Sequence, residues 1–165
     1  MFFWDKPRPQ KRFEIRECGK ESWEVLRKYH YLNTDLSATA RCYGLYDKDM
    51  IIGFCAVIHF PHPNNPRIKH IHRLVIHPDY QGIGLGKRLL NFVAQMYFEQ
   101  NFDVFLITSA KNLIFGLNRD VHWGCTHYGK MQWDKSKTAD KNLKASSSKN
   151  RITASFKYLS KKEVK

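Results

Sequence analysis

Three glycines at alternate positions lie where an apolar run gives way to an amphipathic one. The stretch HRLVIHPDYQGIGLGKRLL spans residues 72 to 90, and Lys87 and Arg88 directly follow its glycines, Gly82, Gly84 and Gly86. Glycines at a helix start leave backbone N–H groups without side-chain cover, and a helix N-terminus carries about half a positive charge. The stretch therefore predicts a site for phosphate oxygens, although a tight turn that binds no ligand would use the same glycines.

The spacing of these glycines differs from two familiar nucleotide-binding loops. A Walker loop has four residues between its glycines and then Lys-Ser/Thr, whereas here Arg88 follows Lys87. A Rossmann loop reads G-x-G-x-x-G, whereas residues 82 to 86 read G-x-G-x-G. Neither nucleotide-binding motif fits this loop.

The loop does fit the pattern Gln/Arg-x-x-Gly-x-Gly/Ala, in which the fixed positions are Gln81, Gly84 and Gly86. The sequence pattern V-x-H-P-x-Y precedes it at residues 75 to 80. On these residues the sequence resembles the GNAT superfamily of acetyl-CoA-dependent N-acetyltransferases. The specific signal is confined to about residues 70 to 90. The resemblance implies a single domain over residues 1 to 165, of the α/β (α+β) class, with a mixed, mostly antiparallel sheet of six to seven strands flanked by helices.

The resemblance also implies where acetyl-CoA binds. In that family the pyrophosphate of coenzyme A contacts the amides of the loop, and the acetyl-pantetheine arm pairs with the splayed end of the preceding strand. An arm that carries amides can be hydrogen-bonded like an extra strand. Asn112 matches the start of a further family pattern, on the helix after the fifth strand. The acetyl-CoA contacts implied in this way are Leu74, Val75, Ile76, Gln81, Gly82, Ile83, Gly84, Leu85, Gly86, Lys87 and Asn112.

Two histidines, His70 and His72, precede the loop in the segment KHIHRLVIHP, which reads as a strand. The alternation of a strand predicts two sets of side chains on opposite faces. The first set is His70, His72, Leu74 and Ile76, and the second is Ile71, Arg73, Val75 and His77. Both imidazoles are therefore expected to face the same way, just before the residues expected to contact the thioester.

Histidine suits proton removal from an amine. An alkylammonium with a pKa near 10.4 is almost fully protonated at pH 7, so a base or a water-linked relay assists its attack. The strand is similar to the His-x-His-x-Leu-x-Val-His strand of arylalkylamine N-acetyltransferases, whose paired histidines act in proton removal. That similarity implies His70 as the base or relay entrance and His72 as its partner. The alternative is a pair of half-exposed strand histidines without a catalytic role.

A metal site is another alternative, because imidazoles two residues apart on a strand can share an ion. The candidates are His59, His62, His70 and His72. No carboxylate or cysteine completes a persuasive set in the sequence, so no metal is expected.

The sequence departs from the family where a tyrosine commonly protonates the leaving thiolate. That tyrosine would fall near Asn118 or Arg119, and neither side chain can serve in the same way. Tyr97 or Tyr128 could supply a phenol, yet both are equally expected as core aromatics, so the general acid is unassigned. The family's acceptor wall corresponds to Tyr29, His30, Tyr31, Asn33 and Asp35. The acceptor is expected to be a small-molecule or peptide amine of unidentified structure.

The elements that must position these residues follow from the apolar periodicity. Strands alternate with helices, and residues 47 to 49 read as the turn of a hairpin in which Gly53 marks a bulge. Strands are predicted at 12 to 18, on both sides of the turn within 38 to 60, and at 68 to 77, 103 to 110, 124 to 133 and 151 to 159. Helices are predicted at 21 to 32, 84 to 100 and 112 to 120.

Length and composition agree with one globular unit. The chain has 165 residues and is 42% hydrophobic, which supplies enough apolar side chain for a core. No apolar stretch approaches the roughly 20 residues of a membrane span, so we expect no membrane partner and a cytoplasmic protein. Cys18, Cys42, Cys55 and Cys125 are far apart and form no C-x-x-C pair, which favours reduced, structural thiols. A ping-pong route through Cys42 or Cys55 is a minor alternative to direct transfer.

The net charge of +13 is concentrated towards the C-terminus. Residues 130 to 165 hold 11 of the 28 basic residues but only 3 of the 15 acidic ones. Residues 134 to 150 read as a mobile basic loop. A protein of this fold that binds acyl-CoA or nucleic acid without catalysis is therefore the alternative function. Nucleic acid as a partner is not favoured, because the segment lacks interleaved aromatic residues before Phe156. The oligomeric state is not predicted.

Overall fold

A seven-stranded mixed sheet organises the molecule, with the strand order β1-β2-β3-β4-β5-β7-β6. The structure is a computed structural model that describes residues 13–30, 35–130 and 152–159. The strands are β1 (Phe13–Cys18), β2 (Arg41–Asp47), β3 (Met50–His59), β4 (Ile68–Ile76), β5 (Asp103–Thr108), β6 (Trp123–Lys130) and β7 (Ile152–Tyr158). The helices are α1 (Glu21–Leu26), α2 (Leu85–Glu99) and α3 (Lys111–Asn118). The predicted α/β class and mostly antiparallel sheet are confirmed, since only β4 and β5 pair in parallel.

Element boundaries follow local backbone chemistry. The β2–β3 hairpin turns at Lys48, whose φ is +58°, and a bulge next to Gly53 makes Ile52 the extra residue of β3. The second helix begins after Gly84 and ends before Asn101, and both of these residues have positive φ. The first helix is shorter than predicted, because it tightens after Leu26 into a 3-10 turn, as helix C-termini often do.

The two faces of the sheet bury separate apolar clusters. Helices α2 and α3 cover one face, where Leu45, Leu89 and Phe156 belong to the larger cluster. The short helix α1 covers the other face, where Trp23 packs against Phe54 at a ring-centroid distance of 5.5 Å. The sheet is therefore the middle of three layers, which agrees with the expected sheet flanked by helices.

The predicted basic loop of residues 134 to 150 lies outside the described residues, as do Tyr31 and Asn33. Among the described residues, no helix is both long and apolar enough to cross a bilayer.

Candidate functional site

The two parallel strands in the middle of the sheet part from each other after a short ladder. Their pairing runs only from Ile68 with Asp103 to Ile71 with Leu106. β4 nevertheless continues to Ile76, and β5 pairs on its other side with β7. Residues 72 to 76 of β4 therefore have no strand partner on the side towards β5, which opens a cleft between the two strands.

A β-bulge lies where the cleft begins. Val57 pairs with Ile71 and the preceding Ala56 pairs with Arg73, so His72 is an extra residue on β4. An extra residue reverses the alternation of the side chains that follow it. The predicted division of the strand into two faces is therefore wrong beyond His72.

The core clusters show on which face of the sheet each side chain of β4 lies. Arg73 pairs with Ala56 and Val75 packs with Phe54, so both lie on the α1 face, which His70 also shares through its pairing with Ile58. Leu74 and Ile76 instead pack with Ile71 in the cluster under α2. The bulge thus brings Arg73, which the sequence placed on the opposite face, to the same side as His70.

A cavity of about 100 Å³ occupies the cleft. His72, Arg73 and Leu74 line it from β4, and Leu106, Ile107 and Thr108 line it from β5. His30, at the end of the 3-10 turn after α1, closes one side. Three of the residues expected to form the acceptor wall are described, namely Tyr29, His30 and Asp35. Of these three, His30 lines the cleft cavity.

The glycine loop lies at the end of β4 and opens α2. Gly82 and Gly84 have φ of +81° and +83°, a conformation that other residues rarely adopt, and a Cβ atom added at either would meet open space. Arg88 donates the first helical hydrogen bond, to the Gly84 carbonyl. Among the described residues, no backbone carbonyl accepts from the amides of residues 82 to 87. These amides therefore form the uncovered, positive end of a helix that the sequence predicted.

Two side-chain contacts fix this loop to the sheet. Gln81 Nε2 donates to the Ile76 carbonyl at 2.8 Å, which ties the loop to the last residue of β4. The Tyr80 hydroxyl donates to Asp47 Oδ2 at 2.9 Å, which ties it to the β2–β3 hairpin. Of the loop residues, Ile83 is 66% exposed while Leu85 is buried in the core cluster. The loop is therefore anchored on both sides of the glycines.

Lys87 has a carboxylate partner. Its Nζ lies 3.4 Å from Oδ2 of Asp120, which also accepts from Asn91 Nδ2 at 3.0 Å. The other carboxylate oxygen accepts from the backbone N–H of His122. Burial alone would raise the pKa of Asp120, but these hydrogen bonds and the Lys87 charge outweigh it and lower the pKa to about 2. No pattern in the sequence predicted this cluster. The contact with Asp120 determines the direction of the Lys87 side chain.

His72 has a defined protonation pattern. Arg73 Nη1 lies 3.3 Å from His72 Nδ1, and a guanidinium only donates, so Nδ1 accepts and the proton of the neutral ring is on Nε2. Nε2 is buried and has no hydrogen-bond partner among the described residues. Burial, and then the charge of Arg73, lower the pKa of His72 to about 4. This imidazole is therefore neutral at pH 7.

His70 lies two residues earlier and packs against Phe60, with 5.6 Å between the ring centroids. Burial lowers the pKa of His70 below its usual 6.5, so this ring is also mostly neutral at pH 7. A neutral imidazole can accept a proton, as the sequence-based assignment of a base requires.

The candidate general acids do not reach the cleft cavity. Tyr97 is a buried residue of α2, and its hydroxyl lies 2.8 Å from that of Tyr43, whereas Tyr128 is 64% exposed on β6. Arg119 lies over the Phe115 ring at 4.1 Å. Asn112 is exposed in the first turn of α3, between the cleft-lining residues Ala110 and Leu113. The general acid thus remains unassigned.

The two candidate thiols, Cys42 and Cys55, are poor nucleophiles. Cys55 is fully buried in the core under α2, and burial raises its pKa far above the usual value. Burial also raises the pKa of Cys42 to about 11. Because the thiolate is the reactive form, neither residue suits covalent transfer. In the described ranges 13–30, 35–130 and 152–159, no group of three or more His, Cys, Asp or Glu side chains could hold a metal ion.

A sequence profile of the Acetyltransferase (GNAT) family matches residues 7–114, which is more than half of the chain. The chain belongs to the GNAT acetyltransferase family. GNAT acetyltransferases are enzymes with acetyl-CoA as co-substrate, so the family expected from the glycine loop is confirmed. No protein with a curated description matches the chain in sequence.

Solved GNAT structures share the fold at low sequence identity. An acetyltransferase from Bacillus subtilis in complex with CoA is 13% identical, with a TM-score of 0.63 over 90% of this chain and 98% of its own. A GNAT family acetyltransferase from Elizabethkingia anophelis with acetyl-CoA bound is 12% identical, with a TM-score of 0.62 and the same coverage. The ribosomal-protein-S18-alanine N-acetyltransferase from Escherichia coli is 12% identical, with a TM-score of 0.61 over 90% of this chain and 93% of its own. The similarity to the arylalkylamine enzymes stays a resemblance of one strand.

The residues present fit acetyl-CoA. A diphosphate needs several converging donors, and the glycine loop provides amides at a helix N-terminus with open space above Gly82 and Gly84. A pantetheine arm needs an unpaired strand edge, and residues 72 to 76 provide one. Both features meet at the end of β4, where Gln81 contacts Ile76.

Proposed function

We propose that this GNAT enzyme transfers the acetyl group of acetyl-CoA to a primary amine by direct attack in a ternary complex. The observation that carries the proposal is the end of the β4–β5 ladder at Ile71. His70 and His72 flank this point in the chain, and the uncovered amides of the glycine loop follow the end of the same strand. One strand thus connects a site for the cofactor diphosphate with a site for proton transfer.

The loop and strand residues bind the cofactor. The amides of residues 82 to 87 hold the diphosphate, and Gln81 keeps them at the end of β4. The backbone of Leu74, Val75 and Ile76 pairs with the pantetheine arm, and an N–H near Val75 donates to the thioester carbonyl oxygen. Lys87 contributes its amide and a charge that Asp120 restrains, and exposed Asn112 is the remaining cofactor contact.

His70 is the base in this proposal, and it acts through a water because it is not among the residues that line the cleft cavity. The acceptor ammonium gives one proton to a water that His70 holds, and its nitrogen then forms a bond to the acetyl carbon. The bond from that carbon to sulfur then breaks, and the second proton that the nitrogen loses passes through water to the coenzyme A thiolate. His72 is a positioning residue, because Arg73 occupies the Nδ1 atom at which the neutral ring would accept a proton.

Direct transfer is favoured over a covalent intermediate. Both candidate thiols, Cys42 and Cys55, are buried and have raised pKa values, so neither is suited to carry the acetyl group to the acceptor. An amine acceptor agrees with the activity of the Escherichia coli neighbour, which is a ribosomal-protein-S18-alanine N-acetyltransferase.

The test is release of coenzyme A thiol from acetyl-CoA across a panel of arylalkylamines, polyamines, aminoglycosides, amino acids and basic peptides. We expect thiol release that depends on one class of amine, with a product heavier by one acetyl group. Tight binding of acetyl-CoA without thiol release for any amine would instead favour the non-catalytic alternative.

Three expectations from the sequence stay predictions. They are a single domain over residues 1 to 165, a cytoplasmic location, and the absence of a nucleic-acid partner for the basic segment. A salt titration of binding to nucleic acid tests the last of these, since the affinity of a basic segment for nucleic acid falls steeply as the salt concentration rises.

A further inference from the structure

Two cysteines that are far apart in the sequence lie opposite each other in the sheet. Cys18 is the last residue of β1 and Cys42 is the second residue of β2, and the antiparallel ladder pairs one with the other. Residues directly opposite in such a ladder point to the same face, with their Cα atoms about 4.5 to 5.5 Å apart. Because disulfides join Cα atoms about 4.4 to 6.8 Å apart, the register places this pair within reach of a disulfide.

Packing and electrostatics agree with the register. Cys42 belongs to the apolar cluster on the α1 face, and Cys18 packs against the same cluster. Burial, and then the charge of the Cys18 thiolate, raise the pKa of Cys42 to about 11, so the two sulfur atoms are close enough to interact. Cys55 is also near, but it belongs to the cluster under α2, and Cys125 is exposed on β6. Of the four cysteines, Cys18 and Cys42 are therefore the two that share a register and a face.

The two thiols differ in their access to solvent. Cys18 is partly exposed on an edge strand of the sheet, whereas Cys42 is 3% exposed, and its Sγ makes only a long contact of 4.0 Å to the Ala40 carbonyl. Burial raises the pKa of Cys18, and a hydrogen bond with Ser22 opposes that shift. An oxidant in solution therefore reaches Cys18 first, and Cys42 is placed to complete the bond.

We propose that Cys18 and Cys42 form a reversible disulfide when the protein meets a low-molecular-weight disulfide such as glutathione disulfide. The Cys18 thiolate attacks one sulfur of the oxidant, and one glutathione leaves as a thiolate. The Cys42 thiolate then attacks the Cys18 sulfur of the mixed disulfide, and the second glutathione leaves. Two protein thiols are thereby oxidised, one glutathione disulfide is reduced, and the two thiol protons pass through water to the glutathione thiolates.

The raised pKa values make this exchange slow, because the thiolate is the reactive form. The second step is nevertheless intramolecular, and a high effective concentration compensates for a small thiolate fraction. A cross-link that forms once does not need the speed of a catalytic nucleophile. The inference is independent of the proposed acetyl transfer.

The bond would close a loop that carries part of the candidate acceptor wall. Residues 19 to 41 lie between the two cysteines and include α1 and the 3-10 turn that precedes His30, a residue of the cleft cavity. The disulfide would join both ends of this segment. Because a cross-link of this loop length restricts the unfolded chain, we expect the melting temperature to rise by about 5 to 10 °C on oxidation.

Mass spectrometry of the non-reduced protein tests the pairing. The background is Cys125→Ser, because exposed Cys125 would also react with the oxidant. The protein is incubated with glutathione disulfide at mildly alkaline pH, which favours the thiolate, and is digested with trypsin after free thiols are blocked. Peptide 17–20, ECGK, should be linked to peptide 42–48, CYGLYDK, with two hydrogen atoms fewer than the free peptides together. Dithiothreitol should separate them.

A matched variant and a positive control decide the outcome. Adding Cys18→Ser to the background should remove both the linked peptide and the rise in melting temperature. In the wild type, a glutathione adduct on Cys125 shows that the oxidant is active. The inference is overturned if the linked peptide is absent under conditions that modify Cys125, or if Cys18 instead keeps its glutathione or links to Cys55. A linked peptide without a rise in melting temperature would overturn the stabilising effect.

Discussion

Arg73 Nη1 and His72 Nδ1 lie 3.3 Å apart, and this contact distinguishes the two histidines of β4 from each other. Because Arg73 can only donate, His72 accepts at Nδ1 and holds its proton on Nε2. Among the described residues, no side chain donates a hydrogen bond to His70, whose ring packs against Phe60. In the proposed function, proton removal therefore falls to His70, and His72 is a positioning residue.

Replacing His70 with Gln is expected to lower kcat about 100-fold, the usual contribution of a general base. The base must be neutral, and burial lowers the pKa of His70 below 6.5. In the wild-type enzyme, kcat should therefore rise with pH along a limb centred below pH 6.5 and then level off. His70→Gln should abolish that limb in a pH profile at saturating substrates.

The matching variant is His72→Gln. The pKa of His72 is about 4, so its ring does not titrate in the range where the limb is expected. We expect a lower kcat and an unmoved limb. If the limb vanishes in His72→Gln and persists in His70→Gln, His72 would be the base and His70 the positioning residue.

Gly84→Asp should abolish acetyl-CoA binding. The new side chain would place a carboxylate at the N-terminus of α2, where the cofactor diphosphate is proposed to lie, and Gly84 has a φ of +83°. Isothermal titration calorimetry measures the affinity. Gly116→Ala is the control, since this helical glycine of α3 has open space for a Cβ atom and should keep its affinity. Unchanged affinity in Gly84→Asp would reject the proposed diphosphate site.

Gln81→Ala should weaken acetyl-CoA binding about fivefold. The lost hydrogen bond to the Ile76 carbonyl, 2.8 Å long, holds the loop amides at the end of β4, and one such bond contributes about 1 kcal/mol. Gln95→Ala removes a glutamine farther along α2 and should leave the affinity unchanged. Equal affinities for the wild type and Gln81→Ala would show that the loop holds its shape without this contact.

Asp120→Asn should lower the free energy of unfolding by about 2 kcal/mol at pH 7. The pKa of this buried carboxyl is lowered from 3.8 to about 2, so its stabilisation is complete above about pH 4 and is lost as pH falls towards 2. Urea unfolding at several pH values measures this. The variant should lose less stability than the wild type between pH 4 and 2. Asp49→Asn, in the exposed hairpin turn, should match the wild type.

Local patterns in the sequence predicted the glycine loop and the helix start to which we assign the cofactor. The alternating glycines of residues 82 to 86 need positive φ at two positions and a helix start after them, and both are chemical properties of the residues themselves. The element order and the α/β class follow in the same way from apolar periodicity. Neither depends on which strands become neighbours.

The bulge at His72 could not be read from the sequence, because it depends on how β4 registers against β3. A shift by one residue reverses every later side chain, so the predicted faces were correct up to His72 and wrong for Arg73, Leu74, Val75 and Ile76. The sequence contained one unused signal, a single arginine within an apolar strand.

The sequence by itself determined the family, the glycine loop and the pair of histidines before it. Only the tertiary structure decided that β4 and β5 part after Ile71, that Arg73 enters the cleft, and that Asp120 restrains Lys87. The physical reason is that loop conformation and periodicity depend on neighbours along the chain. Strand register and ion pairs instead depend on residues that folding brings together from distant parts of the chain, as the ion pair between Asp103 and Lys157 shows.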